Sequence, residues 1–152
     1  MNETISQVVD APPPKAALRV VNPLVRLVLR TPIARLVEPL ALLEFDGRRT
    51  GRRRRIVVGW HFIDDQPLVV TPAKWRANFV GGGVATVRWK GNVAEFVGTL
   101  DTDPAVVAAA INALLNAGAT PRSLALRIPA GHVMSAADVT ATRRGIVRFE
   151  SR

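Results

Sequence analysis

The chain has 152 residues, with 21 Lys or Arg against 12 Asp or Glu, which gives a formal charge of +9 at pH 7. Its 48% of hydrophobic residues can fill the core of one domain, which excludes disorder as the main state. The absence of Cys excludes a disulfide scaffold, a zinc–thiolate site, an iron–sulfur cluster and a Cys nucleophile, and it predicts a cytoplasmic protein.

The first elements in chain order are a tail and a helix. Residues 1–14 carry no apolar stretch of signal-peptide length and end in three prolines, so we expect a flexible tail before a single domain over residues 15–152. Asn22 and Pro23 are typical of a helix start, and the apolar residues that follow fall on one stripe. This amphipathic helix over residues 24–36 could cover one end of a barrel or lie on the inner face of an anionic membrane.

From Leu40 the pattern changes to short apolar runs separated by turn residues. The predicted strands cover residues 40–45, 53–63, 68–71, 84–89, 93–100 and 144–149. A helix is predicted over residues 105–116, capped by Asp103 and stopped by Gly118. Residues 120–142 give no clear pattern. Together these elements predict a mainly β (α+β) fold, a small antiparallel barrel with peripheral helices.

Most of the excess charge lies between Lys15 and Arg55, where eleven basic residues accompany three acidic ones. Six arginines form one run, Arg48, Arg49, Arg52, Arg53, Arg54 and Arg55. The run has three interpretations: a solvated hairpin end, a nucleic-acid surface, or a site for a phosphate-bearing small molecule. No helix-turn-helix, zinc-finger or RNP pattern accompanies it, and Tyr is absent for base stacking, so we expect no nucleic-acid partner.

Several short motifs follow one another in a recognisable order. They are Asn22-Pro23-Leu24, Arg30-Thr31-Pro32, Gly47-Arg48-Arg49-Thr50-Gly51-Arg52, Ile56-Val57-Val58, Trp75-Arg76-Ala77-Asn78 and Val87-Arg88-Trp89-Lys90-Gly91. Over residues 21–100 the chain thereby resembles the deazaflavin-dependent nitroreductase family. That family belongs to the split β-barrel flavin and deazaflavin oxidoreductases, the pyridoxamine phosphate oxidase-like group. The resemblance implies a split antiparallel β-barrel of the FMN-binding type.

The resemblance also implies a cofactor, the deazaflavin coenzyme F-420, with FMN as the alternative. The residues that match the family's binding positions are Arg48, Arg49, Thr50, Arg54, Val57, Val58, Thr71, Pro72, Lys74, Trp75 and Asn78. Among them Arg49 and Arg54 would hold the phosphate. Phosphate binding at this turn is also supported without the resemblance. Glycine-rich turns expose N–H groups, and guanidinium groups bind phosphate through two parallel hydrogen bonds.

Trp75 and Asn78 are three residues apart, which places both on one face of a helical turn. The resemblance implies that they contact the coenzyme. The alternative is structural, with Trp75 as a core anchor and Asn78 as a cap.

The remaining polar residues suggest no catalytic side chain and no metal site. His61 lies in an apolar strand and is expected to be a buried histidine, while His132 has no neighbouring Cys or His for a metal. Ser123 and Ser135 lack the context of a nucleophile. Such a chain suits hydride transfer, in which the cofactor carries the chemistry.

The predicted function is therefore an oxidoreductase that passes a hydride from the reduced coenzyme to a hydrophobic, electrophilic acceptor such as a quinone, an enone or a nitro compound. Relatives that reduce nitroaromatics use late tyrosines, which this chain lacks. The alternative is a redox-inactive split barrel that binds a lipid or other hydrophobic ligand near the membrane. A homodimer is compatible with either function.

Overall fold

The computed structural model describes Val9–Asp10 and residues 40–152. The predicted amphipathic helix and nearly all of the predicted tail lie outside the described residues. The peripheral membrane contact expected from that helix falls outside them too. Among the residues that are described, no helix combines the length and apolarity needed to cross a membrane.

The described chain is mainly antiparallel β-structure with a few helices. Its strands are β1 (Val9–Asp10), β2 (Leu40–Asp46), β3 (Arg53–Gly59), β4 (His61–Ile63), β5 (Gln66–Thr71), β6 (Gly83–Trp89), β7 (Asn92–Asp101), β8 (Leu126–Arg127) and β9 (Gly145–Ser151). The α-helices are α1 (Pro104–Asn116) and α2 (Ala136–Thr142), and short 3-10 helices cover Lys74–Phe79 and Pro121–Leu124. The mainly β fold class predicted from the sequence is confirmed.

Seven strands form one sheet in the order β3-β2-β6-β7-β9-β5-β4, and β1 pairs separately with β8. The two edge strands of the large sheet, β3 and β4, are consecutive in the chain and are joined only by Trp60. A sheet whose opposite edges meet at one residue has to bend round on itself. The sheet therefore curls into a half-barrel.

The prediction of one strand over residues 53–63 was wrong, because Trp60 interrupts it. Trp60 is only 3% exposed, and its ring lies 5.0 Å from that of Phe149 and 5.6 Å from that of Phe96. The chain thus turns into the barrel interior at this residue. Beyond the bend, β4 pairs with β5 instead of β2.

The concave face of the sheet holds an aromatic core. Strand β2 contributes Ala41, Leu43 and Phe45, alternate residues that share one face of the strand. Leu42 and Glu44 on its other face are buried as well. Rings from several strands meet them at tilted or perpendicular angles. A Cβ on Gly98 would lie 2.7 Å from the ring of Phe79, so this close approach requires glycine.

A second core lies between the sheet and the helices. Apolar residues of α1 pack there with Leu68 of β5 and Ile146 of β9. The prediction for α1 is confirmed, including its cap, since the Asp103 carboxylate accepts hydrogen bonds from the N–H groups of Ala105 and Val106. The structure adds α2, which the sequence reading did not predict. That helix covers the same core.

Candidate anion-binding site

The basic turn, residues 47–52, joins β2 to β3. The N–H of Gly47 donates to the carbonyl of Arg52 (2.8 Å), and the N–H of Gly51 donates to the carbonyl of Gly47 (2.7 Å). The hydroxyl of Thr50 accepts the N–H of Arg52 at 3.3 Å. Gly51 has a φ of +66°, a conformation that side chains disfavour. The two glycines therefore shape a tight turn with its arginines at the surface.

Arg48 ties the basic turn to the glycine segment before β6. Its guanidinium donates to the carbonyls of Val80 (2.6 Å) and Gly82 (3.2 Å). Its backbone N–H donates to the side-chain oxygen of Asn78 at 2.8 Å. The side chain of Arg48 thus holds the turn in place and satisfies backbone acceptors of the protein itself.

Alternation along β3 divides the next three arginines between the two faces of the sheet. Arg53 and Arg55 lie on the outer face, opposite Asp46 and Glu44 of β2. Their guanidinium groups are 3.4 Å and 3.5 Å from the carboxylate of Glu44, and Arg53 is also 3.5 Å from Asp46. These two arginines are neutralised within the sheet.

Arg54 points to the concave face, as the cross-strand partner of Phe45. Arg49, Arg52 and Arg54 are all exposed, and in residues 40–152 their guanidinium groups have no hydrogen-bond or ion-pair partner. Three uncompensated charges within six residues repel one another unless solvent or a bound anion screens them. The end of the hairpin is therefore a candidate anion-binding site.

The 3-10 helix Lys74–Phe79 packs beside this end of the sheet and confirms the predicted helical turn. Trp75 is half-buried, with its ring 6.1 Å from that of Phe45 and 5.8 Å from that of Phe79. Lys74 is exposed and has no ion-pair partner in the described part of the chain. Lys74 can therefore add a fourth positive charge to this side of the fold.

Asn78 uses both ends of its amide inside the protein. Its nitrogen donates to the carbonyl of Trp75 (2.7 Å), and its oxygen accepts the N–H of Arg48. These contacts favour the structural interpretation of Asn78, in which it fixes the helix to the basic turn. A direct coenzyme contact of Asn78 stays a prediction.

Arg76 is a positioning residue that the sequence reading missed. Its guanidinium donates to the carbonyl of Thr71 at the end of β5 (2.9 Å) and to that of Arg143 after α2 (2.7 Å). Burial lowers the pKa of Arg76 from its ordinary value. Thr71 is five residues away, but Arg143 is 67 residues away, so no local pattern could have revealed the clamp between them.

Four of the predicted coenzyme-binding residues, Val57, Val58, Thr71 and Pro72, flank a gap between β3 and β5. Strand β4 pairs only with residues 66–68, and within the described chain no strand pairs with β3 on the side away from β2. Val58 is buried on the concave face, while Val57 is half-buried on the other face. Across the gap Thr71 is buried and accepts the N–H of Ala73 (3.0 Å), and Pro72 is exposed. The backbone edges at this gap pair with no other strand of the described chain.

The two histidines lie away from this site. His61 is 8% exposed, as predicted for a buried histidine, and burial lowers its pKa more than its hydrogen bond to the backbone of Ser123 raises it. His132 lies 2.7 Å from the carboxylate of Asp138. Among residues 40–152 and Val9–Asp10, no cluster of His, Asp and Glu could hold a metal ion.

The carboxylate of Asp138 also accepts the N–H of Ser135 (2.9 Å) and its hydroxyl (3.0 Å). Ser135 in turn caps α2 by accepting the N–H of Asp138. The His132–Asp138–Ser135 group is thus a helix cap, and it does not align the serine with the histidine.

A comparison of the chain with protein-family models found no match, and a comparison with curated proteins also found none.

Proposed function

We propose that this chain is an oxidoreductase that binds the deazaflavin coenzyme F-420, or less readily FMN, with its phosphate at the basic turn. The observation that carries the proposal is the division of the six clustered arginines. Arg48, Arg53 and Arg55 are engaged inside the protein, whereas Arg49, Arg52 and Arg54 are exposed and have no partner among the described residues. The unengaged three fit a phosphate or carboxylate group.

The fold supports this assignment through the neighbouring gap. A ligand with its phosphate at the basic turn could extend along β3 to the backbone edges near Val58 and Thr71, which pair with no other described strand. Arg48 and Asn78 hold the turn, and Arg76 holds the helix that carries Trp75. The resulting arrangement places exposed cations near the half-buried indole of Trp75.

When bound and reduced, the coenzyme supplies a hydride for an electrophilic carbon or nitro group. The protein residues bind and orient the anionic end, and they shield one side of the ligand from water. No described side chain is placed as a general acid, so the compensating proton comes from solvent. The acceptor class is the one that the sequence predicts, a quinone, an enone or a nitro compound.

The test is a set of binding titrations with coenzyme F-420, FMN and a duplex oligonucleotide, followed by fluorescence. Each charge-assisted hydrogen bond contributes about 1.5–3 kcal/mol, so Arg49→Ala and Arg54→Ala should each weaken coenzyme binding roughly 10- to 150-fold. The matched control is Arg122→Ala, which removes an exposed arginine that also has no partner in the described chain. Its neighbour Ser123 lies beside Gly59, six residues and about 20 Å along β3 from Arg53.

Different outcomes of these titrations would reject different parts of the proposal. Unchanged coenzyme affinity in both Arg49→Ala and Arg54→Ala would exclude the phosphate assignment. If the protein binds the coenzyme but none of the three acceptor classes oxidises the reduced form, the binding site is supported and the reaction is rejected. Preference for the oligonucleotide, or a lipid that co-purifies while both cofactors fail, would replace the proposal by another function.

A further inference from the structure

An aromatic cleft lies at the opposite end of β3 from the basic turn. Its volume is about 220 Å³, and its lining combines three aromatic residues with one histidine and the end of helix α1. The lining residues are Trp60, His61, Phe62, Trp89, Leu114, Ala117 and Ala119. Nothing in the proposed coenzyme site uses any of these residues.

The walls are suited to one flat apolar ring. The ring of Phe62 lies 4.9 Å from that of Trp89 and 6.4 Å from that of Trp60, at tilted or perpendicular angles. Such geometry leaves edges and faces to which a further aromatic ring can add. A cavity of about 150 Å³ holds benzene, whereas a drug-sized ligand needs roughly 300–1,000 Å³. The cleft therefore has room for a single ring with a small substituent.

Two residues of the lining carry polar groups that bear on the ligand, His61 and Trp89, whose buried indole nitrogen has no hydrogen-bond partner among the described residues. Burial lowers the pKa of His61, so the imidazole is neutral at pH 7. A neutral imidazole has one N–H donor and a second nitrogen with a lone pair, and His61 lines the cleft. Among the described residues no hydrogen bond engages that second nitrogen. The cleft thus offers a hydrogen-bond acceptor at an aromatic wall.

Charge excludes a cationic ligand. The ammonium group of Lys90 already lies 4.7 Å from the centre of the Trp89 ring. A second cation beside it would be repelled, while a neutral ring that is rich in electrons would not. From these contacts we infer that the cleft binds a small neutral phenol, whose ring packs against Trp60, Phe62 and Trp89 and whose hydroxyl donates to His61.

The experiment uses the three tryptophans of the full chain as reporters. Trp60 and Trp89 line the cleft, whereas Trp75 packs on Phe45 near the basic turn. In a titration with phenol followed by NMR, the indole N–H signals of Trp60 and Trp89 should shift and saturate in the millimolar range. The signal of Trp75 should stay in place.

Anisole is the matched ligand, because methylation removes the hydroxyl proton and keeps the ring. Phenol should bind roughly 3- to 10-fold more tightly than anisole, the contribution of one hydrogen bond. His61→Phe should abolish this preference. Ala117→Leu, at an exposed lining position that tolerates a larger side chain, should weaken both ligands and provides a test if His61→Phe does not fold.

Three results would overturn the inference. They are equal shifts at all three tryptophans without saturation, equal affinity for phenol and anisole, and unchanged binding in Ala117→Leu. Neither the probe nor the variants touch the basic turn. A negative result at the aromatic cleft therefore leaves the coenzyme proposal intact, and a negative result at the basic turn leaves the phenol site intact.

Discussion

Replacement of Asn78 by alanine tests how the basic turn is held. The variant removes the hydrogen bonds of 2.7 Å to Trp75 and 2.8 Å from Arg48, and it leaves the ring of Trp75 against Phe45. At about 0.5–1.5 kcal/mol for each bond, the free energy of unfolding should fall by about 1–3 kcal/mol. In a domain of this size each kcal/mol lowers Tm by roughly 2–4 °C.

Asn112 provides a control of the same chemistry. Its amide also makes two hydrogen bonds, donating to the carbonyl of Met134 (3.0 Å) and accepting its N–H (2.9 Å), on the helical side of the fold. Asn112→Ala should therefore lower stability by a similar amount. The two variants should differ in binding, because only Asn78→Ala releases the basic turn and should weaken the coenzyme F-420 affinity several-fold.

The assay pairs urea unfolding, followed by circular dichroism, with the coenzyme titration. The reasoning would be refuted by an unchanged free energy of unfolding in Asn78→Ala. It would also be refuted if Asn112→Ala weakened binding as much as Asn78→Ala, since the loss would then follow from general destabilisation.

Three further substitutions test other parts of the structure. Gly98→Ala places a Cβ 2.7–2.8 Å from two core phenylalanine rings and should cost about 1–3 kcal/mol or more in urea unfolding; a neutral effect would mean that the core is looser than described. Burial lowers the pKa of His61, so its contribution to stability is present above pH 6.5 and is lost as the pH falls towards the folded-state pKa. The unfolding free energy should therefore fall more steeply between about pH 7.5 and about pH 5 in the native chain than in His61→Gln, and equal slopes would contradict this. Ser135→Ala removes the cap of α2 and should cost about 0.5–2 kcal/mol, whereas Thr140→Ala, in the same helix and exposed, should cost less.

The strands and α1 could be predicted because their signals are local. Strand β2 begins with the apolar run Leu40 to Leu43 and ends at the turn that Asp46 and Gly47 start, and Asp103-Pro104 marks the start of α1. The break at Trp60 could not be predicted, because the residues around it continue the apolar run of a strand. What separates β3 from β4 is the curvature of the sheet, which brings Trp60 onto the ring of Phe149. Ser135 and Asp138 have the spacing of a capping box, which is a start signal for helix α2. The β-branched residues in this short helix lower its helix propensity and obscure that signal.

The sequence indicates which arginines cluster at the candidate site, but it does not indicate which of them are engaged by other residues. The arginine run is visible in the sequence, yet the partners that engage Arg48 lie about thirty residues away, at Asn78 and beyond. The resemblance assigns the phosphate to Arg49 and Arg54, yet the structure leaves Arg52 as free of described partners as Arg49. Which arginines remain available for a ligand depends on these long-range contacts.

The position of β9 has a consequence for how the chain acquires its fold. Strand β9 lies between β7 and β5, and it pairs Arg148 with Leu68, about eighty residues earlier in the chain. Until residues 145–151 have been synthesised, the sheet exists only as two pieces, each with a hydrogen-bonding edge exposed to other molecules. Such late, non-local closure is slow and leaves the intermediate open to aggregation. Substitutions in β9 should therefore lower the yield of folded protein during expression more than they lower the stability of molecules that have already folded.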